Sequence, residues 1–323
     1  MKAKYVNLFS DFGFKKIFGE EANKTLLIDF LNSILPPEAQ IKDLTFKNTE
    51  QLSPVEKERK AVYDIYCQNE SGEKFVVELQ KSKQNFFKER TIYYSTFPIT
   101  EQAVKGDWDY NLKAVYCIGI LDFIFGDYTN EAEKKQVIHE IKLRNSVGKT
   151  FYDKLTYIYI EIPNFNKTES ELVTRQDKWL YFIKNTEDFQ SIPEIFKHEV
   201  VFLEALEKAQ LSKLSYDEYV NYQLSLKPMR DWYAIMDTAK SDALKEGKEK
   251  GLKEGLEKGI IEGKELGIQQ GKELGIQQGK ELGLQEGENK AKREMAKSLK
   301  DNGIPIEVIT KTSGLTIEEI QEL

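Results

Sequence analysis

The chain has 323 residues, of which 40% are hydrophobic and 31% charged, enough apolar material for one sizeable domain with appendages or two modest domains. Its net charge is −7, which excludes a general basic coat for nucleic acid and leaves any phosphate contact to a local patch. No apolar signal-like region follows Met1 and no run of about 18 uncharged apolar residues occurs, so no membrane partner is expected and the expected location is cytoplasmic.

From Asp11 to Leu35, apolar residues at Phe14, Ile17, Phe18, Leu26, Leu27, Phe30, Leu31 and Ile34 have helical spacing. They predict two short helices broken near Gly19 and ended by Pro36-Pro37. Residues 41–48 alternate and read as a strand. Residues 61–68 and 74–80 read as two more, joined by the turn-rich NESGE, a predicted hairpin. A helix is expected over 85–104, bent at Pro98, and the apolar run 112–123 suits a strand covered on both faces. Residues 155–162 form another β-rich segment, and helical patterns dominate 179–240. This order of helix, three strands, helix and strand predicts an α/β fold with a mixed sheet between helices. Cys67 and Cys117 each sit in a strand-like run without metal-ligand spacing and read as core residues. With only His139 and His198 present, histidine-based metal sites and Ser-His-Asp chemistry have little support.

The hairpin carries the chemical signal. With its loop centred on Ser71, Asp64 faces Glu78 and Tyr66 faces Val76. Alternation then places Glu78 and Gln80 on the same face as Asp64, while Tyr63, Ile65 and Cys67 oppose Phe75, Val77 and Leu79 on an apolar face. Two converging carboxylates are what a hard divalent cation needs, with water and phosphate oxygens completing the shell. Without the cation, one of the two acids should have a raised pKa.

Asp64, thirteen intervening residues, then Glu78-Leu79-Gln80 on the next strand resembles the D…(D/E)-x-K signature of PD-(D/E)XK nucleases, with glutamine in the lysine position. SDFGFKKIFG at 10–19, VELQKS at 77–82, RTIYYST at 90–96 and EQAVKGDWDYNLKAVYCIGILDF at 101–123 extend the likeness. Together they resemble the bacterial recombination-promoting nuclease and transposase family, over roughly residues 5–240. The resemblance implies a restriction-endonuclease-like core and hydrolysis of DNA phosphodiesters in recombination or mobile-element traffic. It implies Mg²⁺, or Mn²⁺ in its place, on Asp64 and Glu78, with Gln80 positioning water. Gln80 is neutral, so Lys81, Lys83 or Arg90 is expected to supply the missing charge. Asp11 is an outside candidate, with a helix N-cap as its equal alternative. Lys57, Arg59, Lys60 and Lys88 bracket the acids and would bind phosphates, although each singly also suits a solvated surface. Tyr93 and Tyr94 read as helix packing ahead of base stacking. The rival reading is a nuclease-like module, weak or inactive in catalysis, that binds DNA or protein and is oligomerised by its tail.

At Gly247 the composition changes: glycine recurs at every fourth residue through Gly287, with GKELGIQQ at 263–270 repeated at 271–278. Glycine costs about 1 kcal/mol relative to alanine in a helix, and a four-residue period drifts about 40° per repeat against the helical 3.6. A solvated, partly helical linker is expected ahead of a right-handed homo-oligomer or coiled coil through this tail. The organisation so read is a nuclease-like domain over 1–240, a glycine-periodic segment over 241–290 and a small helical segment over 291–323. In the last, Thr316 and Glu319 have capping-box spacing.

Overall fold

The computed structural model describes residues 3–51 and 61–323. The chain divides into two compact units, Met1–Ala234 and Ile235–Leu323.

Helix α1 (Asp11–Phe18) starts the first unit, and the Ser10 hydroxyl caps it by accepting from the Gly13 N–H at 2.9 Å. Asp11 is therefore not the cap; it lies in the first turn, where a carboxylate faces the positive end of the helix. Helix α2 (Lys24–Ile34) buries Leu26, Leu27, Phe30 and Leu31. Then follow β1 (Leu44–Phe46), β2 (Glu50–Gln51), β3 (Ala61–Val62), β4 (Ile65–Asn69) and β5 (Lys74–Gln80). After α3 (Phe87–Thr100) come β6 (Val115–Leu121), the short α4 (Glu131–Lys134), β7 (Ile138–Arg144) and β8 (Thr150–Glu161). Helices α5 (Arg175–Asn185), α6 (Val200–Ala209) and α7 (Tyr216–Asp301) follow.

Six strands form a mixed sheet in the order β1-β4-β5-β6-β8-β7. The β4–β5 hairpin pairs Ile65 with Val77 and Tyr66 with Val76, the register expected from a loop centred on Ser71. The central pairs β5–β6 and β6–β8 are parallel. Two departures matter. Residues 61–68 are not one strand: Ala61–Val62 pairs with Glu50–Gln51 in a separate ladder, and the chain bends before β4. The bend sends Tyr63 to the opposite layer from Ile65 and Cys67, where its hydroxyl donates to the Tyr94 carbonyl at 2.9 Å. The other departure is β7, a half-exposed edge strand rich in charge. Charged edges discourage edge-to-edge pairing, and they also blur the apolar alternation by which a strand is read.

Both faces of the parallel strands are covered. Ile65, Cys67, Phe75, Val77, Ile118 and Ile158 pack under α1, α2, α5 and α6. The centre of that layer is Trp179, fully buried, with ring centroids 5.5 Å from Phe18 and 4.7 Å from Phe202. The other face, which the hairpin pattern left without an apolar code, carries an aromatic layer under α3 that includes Tyr66, Val76, Phe87, Tyr157 and Tyr159.

In the second unit, α8 (Ile306–Ser313) and α9 (Ile317–Gln321) fold against the end of α7 around Ala296, Ile309, Leu315 and Ile320. Thr316 and Glu319 make the reciprocal capping-box bonds. The glycine-periodic stretch is helical throughout, and a Cβ added at any glycine from Gly247 to Gly287 meets nothing within 4 Å. Among the described residues no helix is long and apolar enough to cross a membrane.

Two consequences are measurable. A Cβ at Gly119 would lie 2.9 Å from the buried Tyr159 ring, so Gly119→Ala should cost about 1–3 kcal/mol through overpacking, read as a lowered thermal midpoint. In the tail, where no such conflict exists, replacing Gly255, Gly259 and Gly263 by alanine should strengthen the helix by about 1 kcal/mol per site. Slower amide hydrogen exchange across that stretch would record the gain, and unchanged exchange would refute it.

Candidate active site

Strands β5, β6 and β8 end level with one another, Gln80 pairing with Leu121 and Leu121 with Glu161. Because β4 is antiparallel to β5, its first residues lie at that same edge. Carboxyl ends of parallel strands are where open α/β sheets leave room for ligands. Asp64, at the bend before β4, and Glu78, on the last turn of the β5 pleat, meet there.

Each acid is tied to the other's strand. The Asp64 Oδ2 accepts from the Leu79 N–H at 2.7 Å, and the Asp64 N–H donates to Glu78 Oε1 at 3.3 Å. Burial raises the pKa of both. For Glu78 the Asp64 charge adds to burial and pushes the carboxyl up to about 8, against the pull of Arg90. For Asp64 the rise from burial is offset in part by the Leu79 N–H, Lys15 and Arg90, and reinforced by Asp11. A cation between two such groups would remove the repulsion and replace lost hydration. Among the described residues no group of three or more His, Cys, Asp or Glu side chains is spaced to hold a metal. The donor set is thus two hard carboxylates, which suits an ion that keeps several waters and takes its other ligands from phosphate.

Gln80 is buried, and its amide is held at both ends. The amide nitrogen donates to the Ser82 carbonyl at 3.1 Å, and the carbonyl oxygen accepts from the Arg90 guanidinium at 2.5 Å. Arg90 also donates to Gln84 at 2.6 Å and lies over the Phe87 and Tyr94 rings, at 5.5 and 5.8 Å from their centroids. Arg90 sits one helical turn into α3, so packing of that helix onto the aromatic layer sets its place beside Glu78. Of the three cations expected near the acids, Arg90 is the one hydrogen-bonded to the motif glutamine.

The others go elsewhere. Lys81 is half-buried, donates to the Met229 sulfur, and has its ammonium pushed down to about 8 by burial, with Asp122 and Glu187 pulling the other way. Lys83 is bonded to the Phe125 carbonyl, and Lys88 is exposed and ion-paired to Asp127 at 2.6 Å. Lys57, Arg59 and Lys60 lie outside the described residues. Asp11 is exposed, paired to Lys15 at 2.6 Å, and shares two clefts with Asp64. The first, of about 350 Å³, is bounded also by Gln80, Lys81 and the α7 residues Met229, Trp232 and Tyr233. The second, of about 650 Å³, has Lys15, Lys16 and Lys47 on its walls.

Several of these neighbours escape a sequence reading. Asp122 follows β6, its N–H bonded to the Gln80 carbonyl at 2.9 Å, and burial raises its pKa to about 6 despite Lys81 and Lys184. The one signal for it was an acid terminating the apolar run 112–123. Lys15 lies within SDFGFKKIFG, where nothing local marks it as a neighbour of Asp64. Trp232 and Tyr233 read as ordinary helix residues, because no local pattern says that α7 passes the carboxyl end of β5.

No curated protein and no solved structure matches the chain. A family model described as PD-(D/E)XK nuclease family transposase matches residues 8–239, which takes in the whole sheet and the part of α7 that lines the cleft. The chain belongs to the PD-(D/E)XK nuclease family transposases.

Proposed function

We propose that the protein is a Mg²⁺-dependent DNA endonuclease serving recombination or mobile elements. The observation that carries this reading is the Asp64–Glu78 pair, interlocked across the hairpin with both carboxyl pKa values raised. Asp64 and Glu78 would hold the ion, for which Mn²⁺ could substitute, and it would neutralise charge on the attacked phosphodiester. Gln80, fixed by Arg90 and the Ser82 carbonyl, orients the water that attacks phosphorus. Arg90 adds the positive charge that lysine carries in the parent motif, and its planar fork suits phosphate oxygens. As the new P–O bond forms, the attacking water releases a proton to solvent, one ester P–O bond breaks, and the departing oxygen takes up a proton. Lys81, on the cleft wall with a lowered pKa, would supply it.

The direct test is conversion of supercoiled plasmid to nicked and linear forms by the purified protein with Mg²⁺. Asp64→Ala and Glu78→Ala should each lower the rate at least about 100-fold, since each removes half of the protein's ligands. Arg90→Ala should cost about 10- to 100-fold, mainly in kcat, with Arg90→Lys restoring part of it. Cleavage that persists in both carboxylate variants would sink the assignment.

The raised Glu78 pKa gives a second readout. Burial and the Asp64 charge make its carboxyl hold a proton to higher pH than an ordinary acid in the metal-free protein, so a cation must displace that proton. Mn²⁺ affinity measured by calorimetry should therefore rise with pH, about tenfold per unit for one proton released, and level off above about 8. The same shift works against metal-free stability: an acid whose folded pKa is raised loses stabilisation as pH climbs from its ordinary range toward about 8. Glu78→Gln should accordingly raise the metal-free thermal midpoint at pH 8 and leave it nearly unchanged at pH 4. A pH-independent Mn²⁺ affinity would contradict the coupling.

A further inference from the structure

The cleft beside Asp64 has two unlike walls. One is polar, formed by Asp64, Gln80 and Lys81. The other comes from one face of α7, where Ser225, Pro228, Met229, Trp232 and Tyr233 recur at three- and four-residue intervals. Tyr222 and Leu226 of the same helix turn into the core, which anchors that face. Trp232 and Tyr233 remain 39% and 50% exposed, with ring centroids 5.1 Å apart and planes at 70°. Two partly exposed aromatic rings thus share a cleft with Asp64, one member of the carboxylate pair whose chemistry points to phosphate.

A paired duplex makes poor use of this wall. It presents phosphates and base edges outward and keeps its base faces stacked within, so only an unpaired base offers a ring face to Trp232. Electrostatics argues the same way. The chain carries net charge −7, Lys88 is paired to Asp127, and Lys83 is bonded to a backbone carbonyl, so these two lysines add little free charge for a duplex backbone. Stacking works without net charge.

Resting on the nuclease reading of the same site, we propose that the substrate is DNA with an unpaired nucleotide at the point of cleavage. Its base stacks against Trp232 while its phosphate reaches the Asp64 side of the carboxylate pair. A single strand, a frayed end or an extruded base satisfies this, and the 350 Å³ cleft falls in the range of small-ligand pockets. Tyr233 lines the same cleft, and Lys81, on the polar wall, donates to Met229 of the α7 wall.

The test separates binding from chemistry. Full-length protein carrying Asp64→Asn, which blocks the proposed cleavage, is titrated at fixed salt with a labelled 15-nucleotide single strand, with the same sequence as a blunt duplex, and with a strand whose central nucleotides are abasic. The single strand should bind at least tenfold tighter than the duplex. Trp232→Ala should weaken single-strand binding about 5- to 100-fold, Trp232→Phe should keep most of the affinity, and Trp232→Ala should have no effect on the abasic strand. The inference is overturned if duplex binds as tightly as single strand, or if Trp232→Ala weakens intact and abasic strands equally. Failure of the wild-type protein to nick DNA would instead count against the catalytic reading and leave these affinities interpretable.

Discussion

The site depends on the register of one β-hairpin. Pairing Ile65 with Val77 brings Asp64 level with Glu78, and the bond from the Leu79 N–H to the Asp64 carboxylate fastens the pair at the strand ends. A slip of one residue would exchange the two faces of β4 along its whole length. Ile65 and Cys67 would then leave the layer beneath α1 and α2, and Tyr66 would enter it. The apolar code of the hairpin therefore fixes the geometry of the acids. Packing that looks purely structural decides where the charges stand.

That arrangement is costly by itself. Two carboxylates in a largely buried place lose hydration and repel one another, and their raised pKa values record this. Sites that concentrate such perturbation are often functional, because an ordinary fold gains nothing from keeping it. Here the perturbation sits beside groups of opposite sign that are themselves constrained. Arg90 is stacked on Phe87 and Tyr94; Lys81 has its charged form penalised by burial and supported by Asp122. The charges near Asp64 are thus held by α3, β5, the loop after β6 and α1. Any motion that loosens one of these elements changes the electrostatics of all.

The part of this arrangement legible in the sequence is the part that strand periodicity encodes. Alternation in 61–68 and 74–80, with a turn between, is enough to pair Asp64 with Glu78, and the continuous apolar run at 112–123 is enough to place β6 inside the sheet. What escaped was tertiary. Tyr63 breaks the alternation because β3 joins a different ladder, an event that nothing within 61–68 announces. The second face of the sheet looked polar because Glu78 and Gln80 lie on it, yet Tyr66, Val76 and Phe87 make it a packed layer. Choosing Arg90 over Lys81 and Lys83 needed the orientation of α3 relative to β5. Recognising Asp122, Trp232 and Tyr233 as neighbours needed β6 and α7 placed around Asp64.

The second unit poses the opposite energetic problem. Its glycines carry φ values that any helix residue adopts, and a Cβ at each would meet only open space, so no packing within the chain explains them. Eleven such residues cost about 10 kcal/mol relative to alanine. The compensating local terms are uneven. Glu249 with Lys253 and Glu254 with Lys258 are favourably ordered pairs four residues apart, worth about 0.2–0.5 kcal/mol each. Across the repeated octads such pairs are missing, since four residues beyond Lys264 stands Ile268 and beyond Glu265 stands Gln269, and they resume only at Glu286 with Lys290. Local terms thus fall short of the glycine cost throughout, and most of all in the repeated octads. Nor do the glycines form a straight stripe, since a drift of about 40° per repeat carries the row once around the helix within about nine repeats. The magnitudes put this stretch at the low-stability end of the chain, whereas the carboxylate pair sits in a sheet packed on both faces.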